Sequence, residues 1–391
     1  MTNMTMTRIG IIAVCLLTPL VGAAQSTYTE QSLFTVEYGW EPWKIGSYVH
    51  MLTDRFQQGV PLLSGILVND KGDVWLGEAK DCMAKGFTYD GEFVRVVGYR
   101  RLQPSDLPHE PHRLPPEYKG YPWAFATGLV DFAMDRRGIS YLLVNPDTRV
   151  IVFDADGEPI QSRIAADGLC YELRGWEKIC YQLRQEMDVV WPVVEDVWCD
   201  IDNNVYLAVS DPSDAPEATS QAKIAQFSET LDFIGWRPGR YVGPDGKTYG
   251  FAAKSAERVG SELAKFTAKG KHMDTVRLIP PPQIAPTDYQ AEGGWAIPDG
   301  VLVDAYENVY LVFSDPVGDS PRTDLWTEAQ VTVRIYKFSE TGDFITKVSL
   351  PSVARTASLP CVAVDSFGDI YYAMYRKTGV EVHHQSTMLR P

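Results

Sequence analysis

Apolar and polar positions alternate along this chain in short runs, and the runs recur. LVNDKGDVWL (67–76), VDAYENVYLV (303–312) and VDSFGDIYYA (364–373) share an apolar start, a polar turn rich in Asp, Asn or Gly, and a strand opening on an aromatic. MDRRGISYLL (134–143), CDIDNNVYLA (199–208) and VGPDGKTYGF (242–251) are looser copies. Alternation of period two across a tight polar turn predicts an antiparallel hairpin. The aromatics Trp75, Tyr141, Tyr206, Tyr249, Tyr310 and Tyr371 fall 61 to 66 residues apart, apart from one interval of 43. Recurrence at such a period predicts an array of like units.

A second alternating segment follows most of these phrases: KGFTYDGEFVRVVG (85–98), TRVIVFDADGEPIQSRI (148–164), AKIAQFSETLDFIGW (222–236), SELAKFTAKGKHMDTVRL (261–278) and VRIYKFSETGDFITKVSL (333–350). Two hairpins give about four short strands per unit. One such sheet cannot bury both faces, whereas a ring of them does and hides most edges. The expected fold is all-β, a six-bladed β-propeller. The sixth unit begins near Cys361, has GVEVHH (379–384) as a third strand, and ends without a clear fourth. The alternating stretch Gln31–Tyr38 is expected to fill that place and close the ring.

VDAYENVYLV with VRIYKFSETGDFI, and VDSFGDIYYA, resemble the NHL-type repeats of six-bladed propellers, and the resemblance covers most of the chain from about Gly65. Asn69 and Gly243 stand where the pattern has aspartate, and the segments near 99–127 and 279–298 are long insertions. The resemblance implies the fold. Propellers of this kind include binding modules and a few lyases or lactonases, so it leaves the activity open.

The first 24 residues read as a secretion signal. Arg8 supplies the positive end, IGIIAVCLLTPLV (9–21) the apolar run, and Gly22, Ala23 and Ala24 a small-residue cleavage region. Residues 25–391 are then one propeller domain, secreted or periplasmic, with no later segment able to span a bilayer. The formal charge is −15, and losing Arg8 with the leader makes it −16, with 35 basic against 51 acidic side chains. Such a balance disfavours nucleic acid and anionic membranes. In an oxidising compartment Cys170 and Cys180, which bracket LCYELRGWEKIC, are the expected disulfide. Cys199 and Cys361 read as small buried side chains.

Asp135, Asp200, Asp304 and Asp365 recur at one phase of the repeat. Shared positions of this kind serve turns through backbone hydrogen bonds, and catalytic groups instead break a repeat's symmetry. His109 and His112, in DLPHEPHRLPPEYKGYPW (106–123), are weak metal candidates with Glu110 or Glu117 beside them. The proline between them prevents a helix from presenting both on one face, and the spacing misses the HExxH arrangement. His383 and His384 alternate sides of a strand, which points to packing plus surface exposure.

The remaining lead is aromatic. Trp40, Trp43, Trp123, Trp176 and Trp295, with Arg237, are the candidate ligand contacts, and Glu41, Arg174, Glu177 and Arg240 are their polar neighbours in sequence. No catalytic residue is assigned and no cofactor is expected, with Ca or Zn at the axis as the alternative. The leading expectation is an exported binding module recognising a peptide, protein or glycan through loops on one face. The rival is a propeller lyase or hydrolase with a metal or polar site at the central axis. A structural envelope component is the third reading.

Overall fold

One five-residue turn builds most of the molecule. Its first residue lends a side-chain oxygen to the backbone N–H groups two and four positions on, and its fourth residue takes a left-handed conformation. The computed structural model describes residues 28–38, 43–45, 63–79, 82–98, 128–145, 149–164, 170–188, 192–210, 223–255, 258–282, 288–290, 294–316, 330–354, 360–376 and 378–387. In the inner hairpins the accepting oxygens belong to Asn69, Asp135, Asp200, Asp304 and Asp365, with N–H to oxygen distances of 2.8–3.0 Å. Gly243 has no such oxygen, and there Asp245 accepts from the Lys247 N–H instead. The outer hairpins repeat the device from Thr88, Asp154, Ser228, Thr267 and Ser339. The fourth position is mostly glycine, which adopts positive φ without a Cβ clash. Asn203, Leu231 and Glu307 adopt it as well.

These turns join six antiparallel sheets. Blade 1 runs Leu63–Val68, Val74–Glu78, Met83–Phe87 and Phe93–Gly98. Blade 2 has three strands, Gly128–Met134, Ser140–Asn145 and Arg149–Phe153. Blade 3 comprises Val193–Cys199, Val205–Ser210, Lys223–Phe227 and Phe233–Arg237. Blade 4 has Tyr241–Val242, Thr248–Ser255, Arg258–Phe266 and His272–Arg277, extended by Tyr289–Gln290 and Gly294–Ala296. Blade 5 is Gly300–Val303, Val309–Pro316, Gln330–Phe338 and Phe344–Ala354.

Blade 6 takes Val362–Val364, Ile370–Tyr375 and Gly379–Thr387 from the C-terminal region and its outermost strand, Tyr28–Glu37, from the other end of the chain. The register runs from Tyr28 opposite Thr387 to Glu37 opposite Gly379. The expected ring closure is therefore present, and the chain is an all-β six-bladed propeller. The closing strand also reaches blade 1. Phe34 packs on Phe87 at 5.7 Å and covers Gly91, where a Cβ would lie 2.6 Å from it. Ring aromatics fill the seams between blades, and Trp75, Tyr141, Tyr206, Tyr249 and Tyr310 are essentially inaccessible.

Blade 2 departs from the expected second hairpin. Its outer turn at Asp154 forms, but beyond it only a single bridge joins Phe153 to Pro159. Pro159 has no N–H for the ladder, so no fourth strand develops there. An α-helix, Gly175–Met187, packs instead against the third strand of blade 2 and the outer strand of blade 3. Trp176, Ile179, Cys180 and Leu183 form its buried stripe at helical spacing.

That helix corrects the disulfide expectation. Cys180 is a free thiol, turned by the stripe into the core that blades 2 and 3 share, and Cys199 and Cys361 are free as well. Cys170 begins the strand Cys170–Glu172, paired with Arg163–Ile164. Among the described residues no helix is long and apolar enough to cross a membrane.

Removing residues 25–37 is expected to lower the melting temperature by about 10 °C or more, because it opens blade 6 and strips the cover from Phe87. Unchanged melting would refute closure by this strand. Asp304→Ala should cost about 3 kcal/mol, since its two oxygens serve the N–H groups of Tyr306 and Asn308, the Asn308 amide and the Tyr310 hydroxyl. Asp304→Asn, which keeps the accepting oxygen as Asn69 does, should cost about 1 kcal/mol in the same denaturation experiment.

Candidate active site

The axis has two unlike ends. At the inner-turn end a cavity of about 450 Å³ draws lining residues from all six blades, including Asn69, Met134, Asp135, Cys199, Asp200 and Asp365. Its repeated carboxylates are already committed to turns. The second oxygen of Asp200 accepts from the Tyr206 hydroxyl and the Asn204 amide, and that of Asp135 takes the Arg137 guanidinium at 2.6 and 2.9 Å. Neighbouring turns are also tied together: the Ile201 N–H donates to Pro244 O and the Ala305 N–H to Ser366 O. This end is a rigid structural collar.

Four residues before each turn acceptor, roughly 13 Å along the innermost strand, the repeat loses its symmetry. The equivalent positions are Gly65, Asp131, Asp196, Gly239, Gly300 and Cys361. Two adjacent blades thus carry a carboxyl group where the others have glycine or cysteine. The residue just before this position is a β-bulge in blades 1, 2 and 3, a distortion that re-aims side chains. The Val197 N–H of blade 3 then donates to Asp131 Oδ2 of blade 2 at 3.2 Å and to Asp196 Oδ1 at 3.0 Å. The two carboxyl groups converge on one backbone hydrogen.

Their electrostatics follow from that meeting. Burial pushes both carboxyls above the ordinary aspartate range, and the Asp131 charge beside Asp196 drives the latter further. A negative charge on either carboxyl opposes ionisation of the other, so both are pushed toward the protonated form, Asp196 the more strongly. Both retain partial solvent access despite their surroundings. The Arg240 charge of blade 4 weakly opposes the upward shift by favouring the ionised form of Asp196. Burial raises the adjacent Tyr241 phenol, while Arg240 and Asp196 act on it in opposite senses.

The sequence-derived candidates fall elsewhere. Trp295 is fully buried in blade 4, where its indole N–H donates to Leu278 O and its ring packs on Tyr289, Phe313, Tyr336 and Phe338. Trp176 belongs to the helix stripe. Arg237 donates to the Ala268 and Trp236 carbonyls. Trp43 is 52% exposed. Trp40, Trp123, His109 and His112 lie outside the described residues. His383 and His384 are both buried, not surface-exposed: His383 stacks on Tyr372, and His384 meets Asp369 and Tyr89. Among the described residues no three His, Cys, Asp or Glu side chains cluster as a metal-ligand set. Asp131 and Asp196 carry no motif, and aligning the repeats on the turn acceptor is the signal that exposes them.

No protein-family model and no curated protein matches the chain. Solved structures similar to it include a gluconolactonase from Xanthomonas campestris, 12% identical with a TM-score of 0.41, covering 92% of this chain and 99% of that one. A member of the DUF4221 family from Bacteroides vulgatus is 11% identical with a TM-score of 0.44, covering 93% and 99%. Virginiamycin B lyase from Staphylococcus aureus is 14% identical with a TM-score of 0.38, again covering 93% and 99%. Likeness at this level says nothing of chemistry, which rests on the residues themselves.

Proposed function

We propose that the protein is a propeller enzyme of the lyase or hydrolase class, with Asp131 and Asp196 as its acid–base pair beside the central axis. The observation that carries this reading is the convergence of two symmetry-breaking carboxyl groups on the Val197 N–H. A pair holding one proton contains both halves of proton-transfer catalysis. The Asp131 carboxylate takes a proton, from carbon next to a carbonyl in a lyase or from water in a hydrolase. The Asp196 carboxyl gives its proton to the departing oxygen, so the pair ends with its proton moved and its net charge unchanged.

Residues 1–24 direct export in this reading, 25–391 form one propeller domain in the periplasm or outside the cell, and the repeats are of NHL type. VDAYENVYLV and VDSFGDIYYA support that assignment of the repeats. Recognition of a peptide, protein or glycan by loop aromatics is the second reading, supported by the half-exposed Trp43.

Titrating the aspartate carboxyl carbons by NMR tests the pair directly. One proton should leave well above the ordinary aspartate range in the wild type, and Asp131→Asn should return Asp196 toward that range. Two ordinary titrations would remove the basis for the proposal. On a panel of lactones, esters and elimination substrates, either single Asn variant should lose about 100-fold or more in turnover. The wild-type rate should be bell-shaped in pH, since the pair works only with one proton.

Stability should move the other way. A carboxyl whose folded pKa is raised binds its proton more tightly in the folded state, so stability falls as pH climbs from about 4 toward the raised value. Asp196→Asn should therefore melt higher than wild type at neutral pH, by about 1–2 kcal/mol, with the difference shrinking near pH 4. An equal difference at every pH would indicate packing instead of charge.

A further inference from the structure

The position one step closer to the turn also breaks the repeat, and it does so in the next blade. Three residues before each turn acceptor stand Ile66, Phe132, Val197, Arg240, Val301 and Val362. Five are apolar and one is a cation. Asp131, Asp196 and Arg240 thus occupy consecutive blades 2, 3 and 4 at nearly one level of the innermost strands. Arg240 is held in place by its backbone, whose N–H donates to Tyr249 O at 2.7 Å just before the short strand Tyr241–Val242. The preceding Gly239 has φ +97°, and a Cβ there would lie 2.8 Å from Tyr249 O, so the close approach that sets Arg240 requires glycine.

A counter-ion serving only the acid pair would be buried against it and hydrogen-bonded to it. Arg240 is neither. It is exposed, and its guanidinium makes no ion pair or hydrogen bond among the described residues. The less accessible cations are held closely: Arg334 grips Asp288 through two bonds of 2.8 Å, and Lys85 meets Glu78 at 2.6 Å. An unpaired, exposed guanidinium on the blade next to the acid pair is open to an anion from solvent.

Resting on the acid–base reading, we infer that the substrate is a small carboxylic acid whose carboxylate is bound by Arg240 while its reacting atoms lie at Asp131 and Asp196. The planar guanidinium fork matches a carboxylate with two parallel hydrogen bonds. The charge count selects the same class. With the single proton of the acid–base reading the acid pair carries one negative charge, Arg240 offsets one, and a monoanion leaves the assembly no more negative than the bare pair. A phosphate dianion would bring a second charge with no cation to meet it. Binding a remote carboxylate also orients the reacting carbon, which is where such contacts raise turnover.

Matched acids and amides test this: acetate with acetamide, glycolate with glycolamide, succinamate with succinamide, and galacturonate with galactose as the neutral partner. Binding to the full mature protein is followed by ligand-observed NMR and calorimetry. At least one acid should bind ten-fold or more tightly than its neutral partner, Arg240→Gln should erase that preference, and Arg240→Lys should keep part of it. No preference in any pair, or a preference that Arg240→Gln leaves intact, overturns the inference. The carboxyl titration of the ligand-free Arg240→Gln protein separates the two ideas. A raised proton that persists there with no acid preference in the wild type sinks the carboxylate assignment alone. Ordinary titration of both aspartates in the wild type sinks the acid–base reading, whatever the ligand preference.

Discussion

A single side-chain oxygen accepting two backbone N–H groups sets the phase of the molecule. In each inner turn except that of blade 4 the oxygen comes from Asp or Asn, and it closes the hairpin that leads from the innermost strand to the second. An unsatisfied backbone N–H at a crowded hub would cost free energy comparable to the bond itself. The carboxylates that look most like ligands in sequence are therefore consumed by architecture. Their second oxygens extend the same work outward, to Tyr206, Tyr310 and Arg137. With the turn end locked, the strands present a common register on which any departure from the repeat stands out.

The departures that matter are costly ones. Placing two half-buried carboxyls on a shared N–H opposes folding at neutral pH, because desolvation and repulsion both disfavour the charged forms. Glycine at the same position in blades 1, 4 and 5 shows that the architecture does not require a carboxyl there. A group that the fold can do without and that destabilises it is the kind of departure on which a proposal of chemistry rests. Buried ion pairs elsewhere do not satisfy that test. Arg334 with Asp288 anchors the extension of blade 4 against blade 5, and Tyr336 adds its hydroxyl to the same carboxylate.

Blade number, strand order and ring closure were legible because they rest on local alternation and turn chemistry, which survive in a single sequence. Gln31–Tyr38 was recognised as the closing strand from its alternation, and the structure shifts its bounds by only a few residues. The helix was not recognised, although Trp176, Ile179, Cys180 and Leu183 already have its period. The flanking cysteines suggested a staple, and the buried stripe instead turns Cys180 into the core. Pro159 was a readable sign against a fourth strand in blade 2. Trp295 and Trp176 looked like recognition residues because they sit between repeat phrases, where tertiary packing decides exposure and local sequence does not. The acid pair lies between these cases. Its residues are visible in the aligned repeats, but their meeting depends on contact between blades 65 residues apart in sequence.

The geometry of a propeller explains why the proposed acid pair and its neighbouring cation occupy adjacent blades. Six near-equivalent strands around an axis offer six equivalent positions at every level, and a symmetric set of charges there would repel. Two carboxyls and a cation on blades 2, 3 and 4 make a one-sided constellation instead, with a polarity that a substrate can follow. Blades 5, 6 and 1 oppose it with Gly300, Cys361 and Gly65, which add no competing charge and little bulk. The collar can stay fixed while the opposite end changes, and selection on chemistry can therefore act there without disturbing the turns that hold the ring.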